Sequence, residues 1–448
     1  MPTYSQKFNR VKKFLLYSIL IANYCVLLSF WWHFSGPLLQ SNSLSSSLLS
    51  FGHLVGLLTT NLILLQLILI GRVKWVESVF GLDKLSRIHR RDGYIILGLI
   101  IIHPFLIILS YSILNHTTFL GQYADFLRNW DDILKAFLGY IILLLTVGLS
   151  IVIVRKRLRY ETWYYVHIFN YAAIALILGH QLRYGSIAQS VWFRSYWYLI
   201  YAFTFGNLIW FRIFRPLYYL RRHNFRITRV VPEGVATSIY VTGQRMEKFK
   251  IKPGQFMIFR FWQKGFWWQA HPFSMSMVPK NNEIRLTAKK LGDFTNEMPN
   301  LKPDSIVLID GPHGVFTADK ISKDKLLFIA GGIGITPIRS LLESLGPLGK
   351  DIILLYSNKS RSEIVFDKEL AELSQQYGFE IVNILGDEKV EGYENGRLDH
   401  DMLKRLIPDI AKREVFVCGP PPMMTALQTS LEQLGISKDY IHSERFEL

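Results

Sequence analysis

Long apolar stretches separated by short basic clusters fill the first half of the chain, and the pattern changes abruptly near His223. Between Phe14 and Phe211 the chain repeatedly runs for about 20 residues without Asp, Glu, Lys or Arg, the length a helix needs to cross a hydrocarbon core. Six spans are predicted, at about 14–34, 44–70, 93–114, 133–154, 162–182 and 193–214. They must be helices: backbone groups in lipid are satisfied only within helices or closed barrels, and these runs are too long for barrel strands. After His223 short alternating strands punctuated by Gly and Pro take over, and after Ser322 strands alternate with helices. The predicted organisation is an all-α membrane domain (1–218), a small antiparallel β-barrel domain (219–320) and an α/β domain (321–448).

Charge gives the direction of the spans. The 51 Lys and Arg against 35 Asp and Glu leave a formal charge of +16. Basic residues cluster before the first span (Lys7, Arg10, Lys12, Lys13), after the second (Arg72, Lys74, Lys84, Arg87, Arg90, Arg91), after the fourth (Arg155, Lys156, Arg157, Arg159) and after the sixth (Arg212, Arg215, Arg221, Arg222). The loop at 36–43 is uncharged, and that at 115–132 sets Asp125, Asp131 and Asp132 against Arg128. The positive-inside rule then makes this a multi-pass cell-membrane protein with both termini cytoplasmic, and no nucleic-acid partner is needed to explain the basicity. Phe14–Phe34 lacks a small-residue cleavage site and reads as a retained span rather than a signal peptide. With only Cys25 and Cys418, a disulfide framework, a Cys-ligated zinc site and a cysteine-held iron–sulfur cluster are excluded.

Ionisable residues inside a span are costly and mark function, so the histidines matter most. His89 and His103 lie 14 residues apart around the third span, and His167 and His180 lie 13 apart around the fifth. At 1.5 Å per residue these are axial separations of about 21 and 20 Å. Both helices run outward, so His89 is level with His167 on the cytoplasmic side and His103 with His180 on the outer side. Two imidazoles facing each other can fill both axial positions of a haem iron, and two such pairs would make a wire. The competing reading is of packed, hydrogen-bonded histidines or a proton path; His33, His53 and His116, which lack matched partners, keep it. At 100° per residue the 14-residue spacing nearly returns to one face, but the 13-residue spacing misses by about 140°. The fifth helix must bend, change its winding or present its ligands from different sides. Arg87, Arg90 and Arg91 at the inner level are lipid-facing topology signals or partners for haem propionates. Arg183, at the outer level, gains nothing from topology and is the better candidate for a propionate, an anionic product or an acceptor.

In the predicted barrel, Pro253-Gly254-Gln255-Phe256 and His271-Pro272-Phe273-Ser274-Met275-Ser276 stand out. Strand spacing puts Ser274 and Ser276 on one face, their hydroxyls available to a planar heterocycle; the plainer alternative is a turn. Lys289, Gly292, Asp293, Phe294 and Thr295 open a short helix where a cation and free amides could hold a pyrophosphate. In the last domain, strand Leu326–Ala330 runs into Gly331-Gly332-Ile333-Gly334-Ile335-Thr336-Pro337. Thr336 is the predicted N-cap and Pro337 the first helical residue, with the glycines admitting a phosphate at the helix start or merely close packing. Strand Ile352–Tyr356 ends in Ser357-Asn358-Lys359-Ser360-Arg361, where a fold selective for NADH often carries an acid. Lys359 and Arg361 favour a 2′-phosphate, hence NADPH with NADH possible, unless the loop is simply solvated. Strand Val415–Val417 leads to Cys418-Gly419-Pro420, which sets a thiol near the nicotinamide position or buries it as a small apolar group.

With these motifs assembled, residues from about 50 to 448 resemble the ferric reductase and NADPH oxidase superfamily, most closely its compact bacterial NADPH oxidase-like members. The resemblance implies a six-helix membrane bundle holding two haem b groups through His89, His103, His167 and His180. It implies a ferredoxin-reductase-like module, with FAD at the His271–Ser274 motif and NADPH at Gly331–Pro337 and Cys418–Pro420. Phe446 matches a terminal aromatic that covers the flavin in relatives, although Glu447 and Leu448 follow it. The expected activity carries electrons from cytosolic NADPH through FAD and the haems to an extracellular acceptor, dioxygen ahead of ferric iron. Two rival readings are a haem subunit serving a partner protein or quinol, and a proton-relaying transporter.

Overall fold

The computed structural model describes residues 4–152, 160–184 and 186–445. The basic cluster Arg155, Lys156, Arg157 and Arg159 and the candidate Phe446 lie outside the described residues. The helices of the first half are α1 (Tyr4–Ser35), α2 (Leu44–Ile70), α3 (Lys74–Phe80), α4 (Leu82–Leu114), α5 (Phe119–Asn129), α6 (Ile133–Val152), α7 (Tyr160–Arg183), α8 (Val191–Ile209) and α9 (Arg215–His223). Among the described residues four segments, Phe8–Ser41, Leu44–Ile70, Leu82–Leu114 and Ile133–Ser150, are long and apolar enough to cross a membrane. The third predicted span begins earlier than expected, because α4 starts at Leu82 and carries both His89 and His103 on one helix. The short join after the last span is not a loop but a π-type turn, Trp210–Phe214, followed by α9.

Chain contacts divide the molecule into two compact units. One contains Lys13–Val73 and Leu85–Trp210; the other contains Met1–Lys12, Lys74–Lys84 and Phe211–Leu448 in their described parts. A sequential division at residue 218 therefore differs from the folded units, because α3, which lies in the chain between α2 and α4, packs with the C-terminal half. In the helical unit a core of Leu57, Leu64, Ile174, Phe193, Trp197 and Leu208 joins α2, α7 and α8. Small residues bring α6 and α7 together: a Cβ on Gly139 would lie 2.8 Å from the Ala173 carbonyl.

The second unit opens with β1 (Arg226–Glu233), β2 (Ala236–Thr242), β3 (Phe256–Phe261), β4 (His271–Ser274), β5 (Glu283–Lys289), α10 (Asp293–Glu297) and β6 (Val307–His313). The strands form two antiparallel three-stranded sheets, β1-β2-β5 and β4-β3-β6, joined by isolated bridges Arg226–Ile306 and Met275–Leu286. Their inward apolar positions share one core, including Ile239, Met257, Phe259, Ile284, Leu286 and Ile309. The remainder holds β7 (Lys325–Gly331), α11 (Ile335–Leu345), β8 (Asp351–Asn358), α12 (Asp367–Tyr377), β9 (Glu380–Leu385), β10 (Glu394–Asn395), α13 (His400–Leu406), β11 (Glu414–Cys418), α14 (Pro421–Gln433) and β12 (Ile441–Glu444). Its strands pair in parallel in the order β10-β9-β8-β7-β11-β12. β7, β8 and β9 step one way from the centre and β11 and β12 the other, so a ligand crevice is expected at the carboxyl ends of β7 and β11. The antiparallel and parallel parts are latched by Arg285 of β5, which donates to both Glu369 oxygens of α12 at 2.7 and 2.9 Å. Arg339 of α11 donates to the same carboxylate at 3.0 Å. These guanidiniums hold the Glu369 pKa below its ordinary value although burial acts the other way.

Candidate functional site

In the helical unit the rings of His89 and His167 lie 6.2 Å apart between centroids, and those of His103 and His180 lie 6.4 Å apart. A metal ion bound to both rings of a pair through bonds of about 2 Å would fit these separations. The hydrogen bonds select the tautomer such a role needs. His103 Nδ1 donates to the Gly52 carbonyl at 2.9 Å and His180 Nδ1 to the Ile177 carbonyl at 2.7 Å. The Ser150 hydroxyl donates to the Thr146 carbonyl at 2.6 Å and accepts from Trp163 Nε1, while His167 Nδ1 lies 3.1 Å from Ser150 Oγ and 3.3 Å from the Asn170 amide nitrogen. His103 and His180 are thus fixed through Nδ1–H with the Nε2 lone pair left over, the arrangement found around metal-bound histidine. His89 Nδ1 is buried without a hydrogen-bond partner. α7 runs as an uninterrupted helix. His167 and His180 are therefore carried on a single helix.

Gly56 of α2 was not visible as a site residue, yet a Cβ there would fall 2.7 Å from His103 Cε1. Its lack of a side chain is what admits the ring. Arg183 is engaged by Asp131 at 3.3 Å and Asp132 at 3.0 Å, and Lys135 also meets Asp132 at 2.7 Å. Asp131 and Asp132 are thus matched by cations, whereas Asp125 accepts from the Gln122 and Asn129 amides at 3.2 and 2.7 Å.

In the second unit, Ser274 ends β4 with its hydroxyl buried and unpartnered, a donor waiting for a ligand atom. Ser276, expected beside it, is not available: its hydroxyl meets Thr287 Oγ1 at 2.8 Å and accepts from Arg285 Nε at 3.0 Å. The Met275 bridge to β5 turns it away into the core. His271 stacks on Phe294 at 3.9 Å, and Phe273 packs on the same ring at 6.1 Å, with Pro272 exposed between them. Lys289 is paired with Glu363 at 3.0 Å. The α10 start is shaped by Thr295, whose hydroxyl accepts from Gly292 N at 3.0 Å, while Gly292 itself faces open space and Asp293 is exposed.

At the crevice, the glycine motif divides its work. A Cβ on Gly334 would lie 2.2 Å from the Cys418 carbonyl, and one on Gly331 2.5 Å from the Met423 sulfur, so both serve close packing of the β7 and β11 loops. Gly419 stands 3.1 Å from Gly331 by the same measure, with Pro420 just beyond. Gly332 adopts φ +53° with nothing near its missing side chain, leaving its backbone open to a ligand. The predicted cap moves two residues: α11 begins at Ile335 with Gly334 as N-cap. Thr336 instead donates its hydroxyl to the Ile333 carbonyl at 3.0 Å, and Pro337 is the third helical residue, because the 3₁₀ turn Gly332–Gly334 already starts the winding. At the end of β8 the Asn358 carboxamide is buried without a partner, next to exposed Lys359 and Arg361; the Arg361 amide donates to Glu388 at 3.0 Å.

Cys418 is wholly buried, and burial with the neighbouring Glu444 pushes its thiol well up. Glu444, its register partner on β12, escaped the motif reading because a lone acid near a terminus has no pattern. Burial, then the charges of Asp83 and Glu77, raise its pKa far above the carboxylate range. Glu77, brought by α3, is fully buried and accepts from Gly314 N at 2.7 Å and from Lys74 Nζ at 3.0 Å, with His313 Nδ1 at 3.8 Å. Burial alone would raise it, but His313, Lys74 and the Gly314 amide hold it down at about 2. Behind His313, Asp310 pairs with the buried Arg215 of α9. In the sequence Glu77 and Asp83 are two acids amid the basic stretch Arg72–Arg91.

Comparison with known proteins gives three family matches in order: a ferric reductase like transmembrane component over 55–178, an FAD-binding domain over 221–317 and an oxidoreductase NAD-binding domain over 328–429. The chain is 30% identical over 240 residues to a glycine betaine monooxygenase reductase subunit of Chromohalobacter salexigens, covering 50% of this chain and 64% of that protein. It is also 30% identical over 246 residues to a flavohemoprotein of Candida norvegensis, covering 50% and 58%. It thus spans less than two thirds of either relative. Among solved structures, the FAD/NAD-binding domain of a Vibrio cholerae nitric oxide dioxygenase aligns at TM-score 0.45 and 24% identity over 49% of this chain and 97% of its own. A Malassezia yamatoensis flavohemoglobin with FAD and heme aligns at 0.46 and 18% over 87% and 98%. The transmembrane component followed by the FAD and NAD modules gives this chain the architecture of the ferric reductase/NADPH oxidase superfamily.

Proposed function

We propose that this protein is a transmembrane oxidoreductase: it takes reducing equivalents from cytosolic NADPH and delivers electrons across six membrane helices to dioxygen on the outer side, forming superoxide. The observation that carries this reading is the pair of imidazole pairs, each at metal-bridging separation, with Nδ1–H tied back to a backbone carbonyl in His103 and His180. Among the described residues no group of three or more His, Cys, Asp or Glu could hold a metal. Two ligands from the protein suit an iron whose other four positions belong to a porphyrin, so the four residues fit two haem b groups. FAD supplies the conversion of a two-electron hydride into single electrons that a nicotinamide donor and a haem acceptor require.

The unpartnered Ser274 hydroxyl would hydrogen-bond the flavin, while the His271, Phe273 and Phe294 surface and the open Gly292 turn would hold the rest of FAD. The Gly332 backbone would meet the NADPH pyrophosphate. Lys359 and Arg361 would meet its 2′-phosphate. Cys418 and Glu444, at the carboxyl ends of β11 and β12, would flank the nicotinamide, Glu444 as a buried group able to hold a proton there. Dioxygen is favoured over ferric iron because two of the three acids in the loop at 115–132, Asp131 and Asp132, already carry Arg183 and Lys135, and the third, Asp125, is held by the Gln122 and Asn129 amides. An absorption spectrum of purified protein before and after anaerobic NADPH tests the reading. Reduced bis-histidine haem bands are expected, and a colourless protein refutes it. Superoxide-dismutase-sensitive cytochrome c reduction, measured beside ferric-chelate reduction, tests the acceptor.

A further inference from the structure

The connection between β3 and β4 carries an unusual surface. Trp262 is 59% exposed, Trp267 53% and Trp268 36%, and Leu291 on the neighbouring turn is 74% exposed. The two turns belong to one end of the domain, because Phe266 between the tryptophans packs edge-on against Phe294 of α10 at 5.8 Å. The presentation is built rather than slack. Gln263 accepts from Lys302 N at 2.9 Å and from Ser305 Oγ at 3.3 Å, and its carbonyl takes the amides of Phe266 and Trp267 at 2.9 and 3.1 Å. Gly265 turns the tip at φ +90°. Lys264 and Lys290 are exposed on the two turns, with Asp293 the acid beside them.

We propose that this end of the flavin-side domain is a membrane-surface anchor, its indoles seated at the headgroup level of the bilayer and its lysines on anionic lipid. Tryptophan is the side chain that membrane–water interfaces enrich, since its ring is apolar and its N–H wants water. Lysines beside it add attraction to the anionic cytoplasmic leaflet. The chain favours lipid over other occupants. It is membrane-embedded by its helices, and only α9 intervenes between the turn ending at Phe214 and β1. Three indoles and a leucine spread over two turns exceed what the single face of a cofactor's adenine would cover. Self-association would bring Lys264 and Lys290 against their own copies. The anchor depends only on membrane embedding, so it stands or falls separately from the acceptor and the haems.

The test uses the full chain in nanodiscs. In a Cys25→Ser background, in which Cys418 is buried and silent to labelling, a spin label is introduced through Trp267→Cys and separately through Leu291→Cys, with exposed Leu348→Cys as the control. Collision with dioxygen, which concentrates in lipid, is compared with collision with a water-soluble nickel chelate. Both labels are expected to favour dioxygen several-fold over the control, more strongly with phosphatidylserine than with phosphatidylcholine alone. Water-like collisions at both positions in both lipids overturn the proposal. So does shielding that vanishes when FAD is stripped, which would assign the indoles to the cofactor.

Discussion

Replacing Glu77 with Gln isolates the charge that α3 contributes to the C-terminal unit. The side chain is fully buried, and its pKa is held at about 2 against an ordinary 4.5. A shift of this size corresponds to roughly 3 kcal/mol of stabilisation at neutral pH. The sign follows from a depressed carboxylate: the contribution is complete above the unfolded value and disappears as pH falls toward the folded one. About 2 kcal/mol of it is gone by pH 3. Gln keeps an acceptor for the Gly314 amide, so the loss reports on charge facing Lys74 and His313. Hydrogen exchange of full-length protein in detergent, read on the β6 amides and Gly314, should quicken on the order of 100-fold at pH 7 in Glu77→Gln. Amides of β8 serve as the internal control. After correction for intrinsic rates, the gap between variant and parent should narrow to about tenfold between pH 5 and pH 3. Exchange in β6 within about threefold of the parent at pH 7 would refute the argument that this buried charge is net stabilising.

Gly56→Ala or Gly56→Leu should drive the His103 ring from its position, so haem content by pyridine haemochrome should fall from two per chain to one. His89→Ala and His103→Ala should each remove one haem as well, and the double variant both; retention of two haems in either single variant sinks the pairing. Arg361→Ala with Lys359→Ala should raise KM for NADPH about tenfold to a hundredfold, the worth of charge-assisted contacts to a phosphate, with little change for NADH. Ser274→Ala should weaken FAD retention on gel filtration about tenfold through the lost hydrogen bond, whereas Ser276→Ala should leave bound flavin unchanged and lower thermal stability by loosening Arg285.

The long apolar helices were legible because charges vanish over whole runs and return in clusters, and the paired histidines because matched axial separations can be read from spacing, although the helical period did not predict the second pair. β7, β8 and β11 were legible as short buried runs ending in glycine or polar turns. What escaped depends on partners distant in sequence. Ser276 has the same strand phase as Ser274, but Arg285 and Thr287 claim its hydroxyl. The α11 cap shifted because the Gly334 approach to the Cys418 carbonyl fixes where winding begins, a contact no local propensity encodes. Gly56 and Glu77 are ordinary residues until His103 and Gly314 arrive beside them.

The detour of α3 bears on how this protein can be dissected. A fragment cut free after α8 to obtain a water-soluble reductase would leave that short helix behind in the discarded part. The stump would carry an amide at Gly314 stripped of its acceptor, an imidazole at His313 facing vacated space, and Glu444 relieved of a repelling neighbour. Its proton affinity at the end of β12 would differ from that of the intact polypeptide, so kinetics gathered on such a fragment would describe another catalyst.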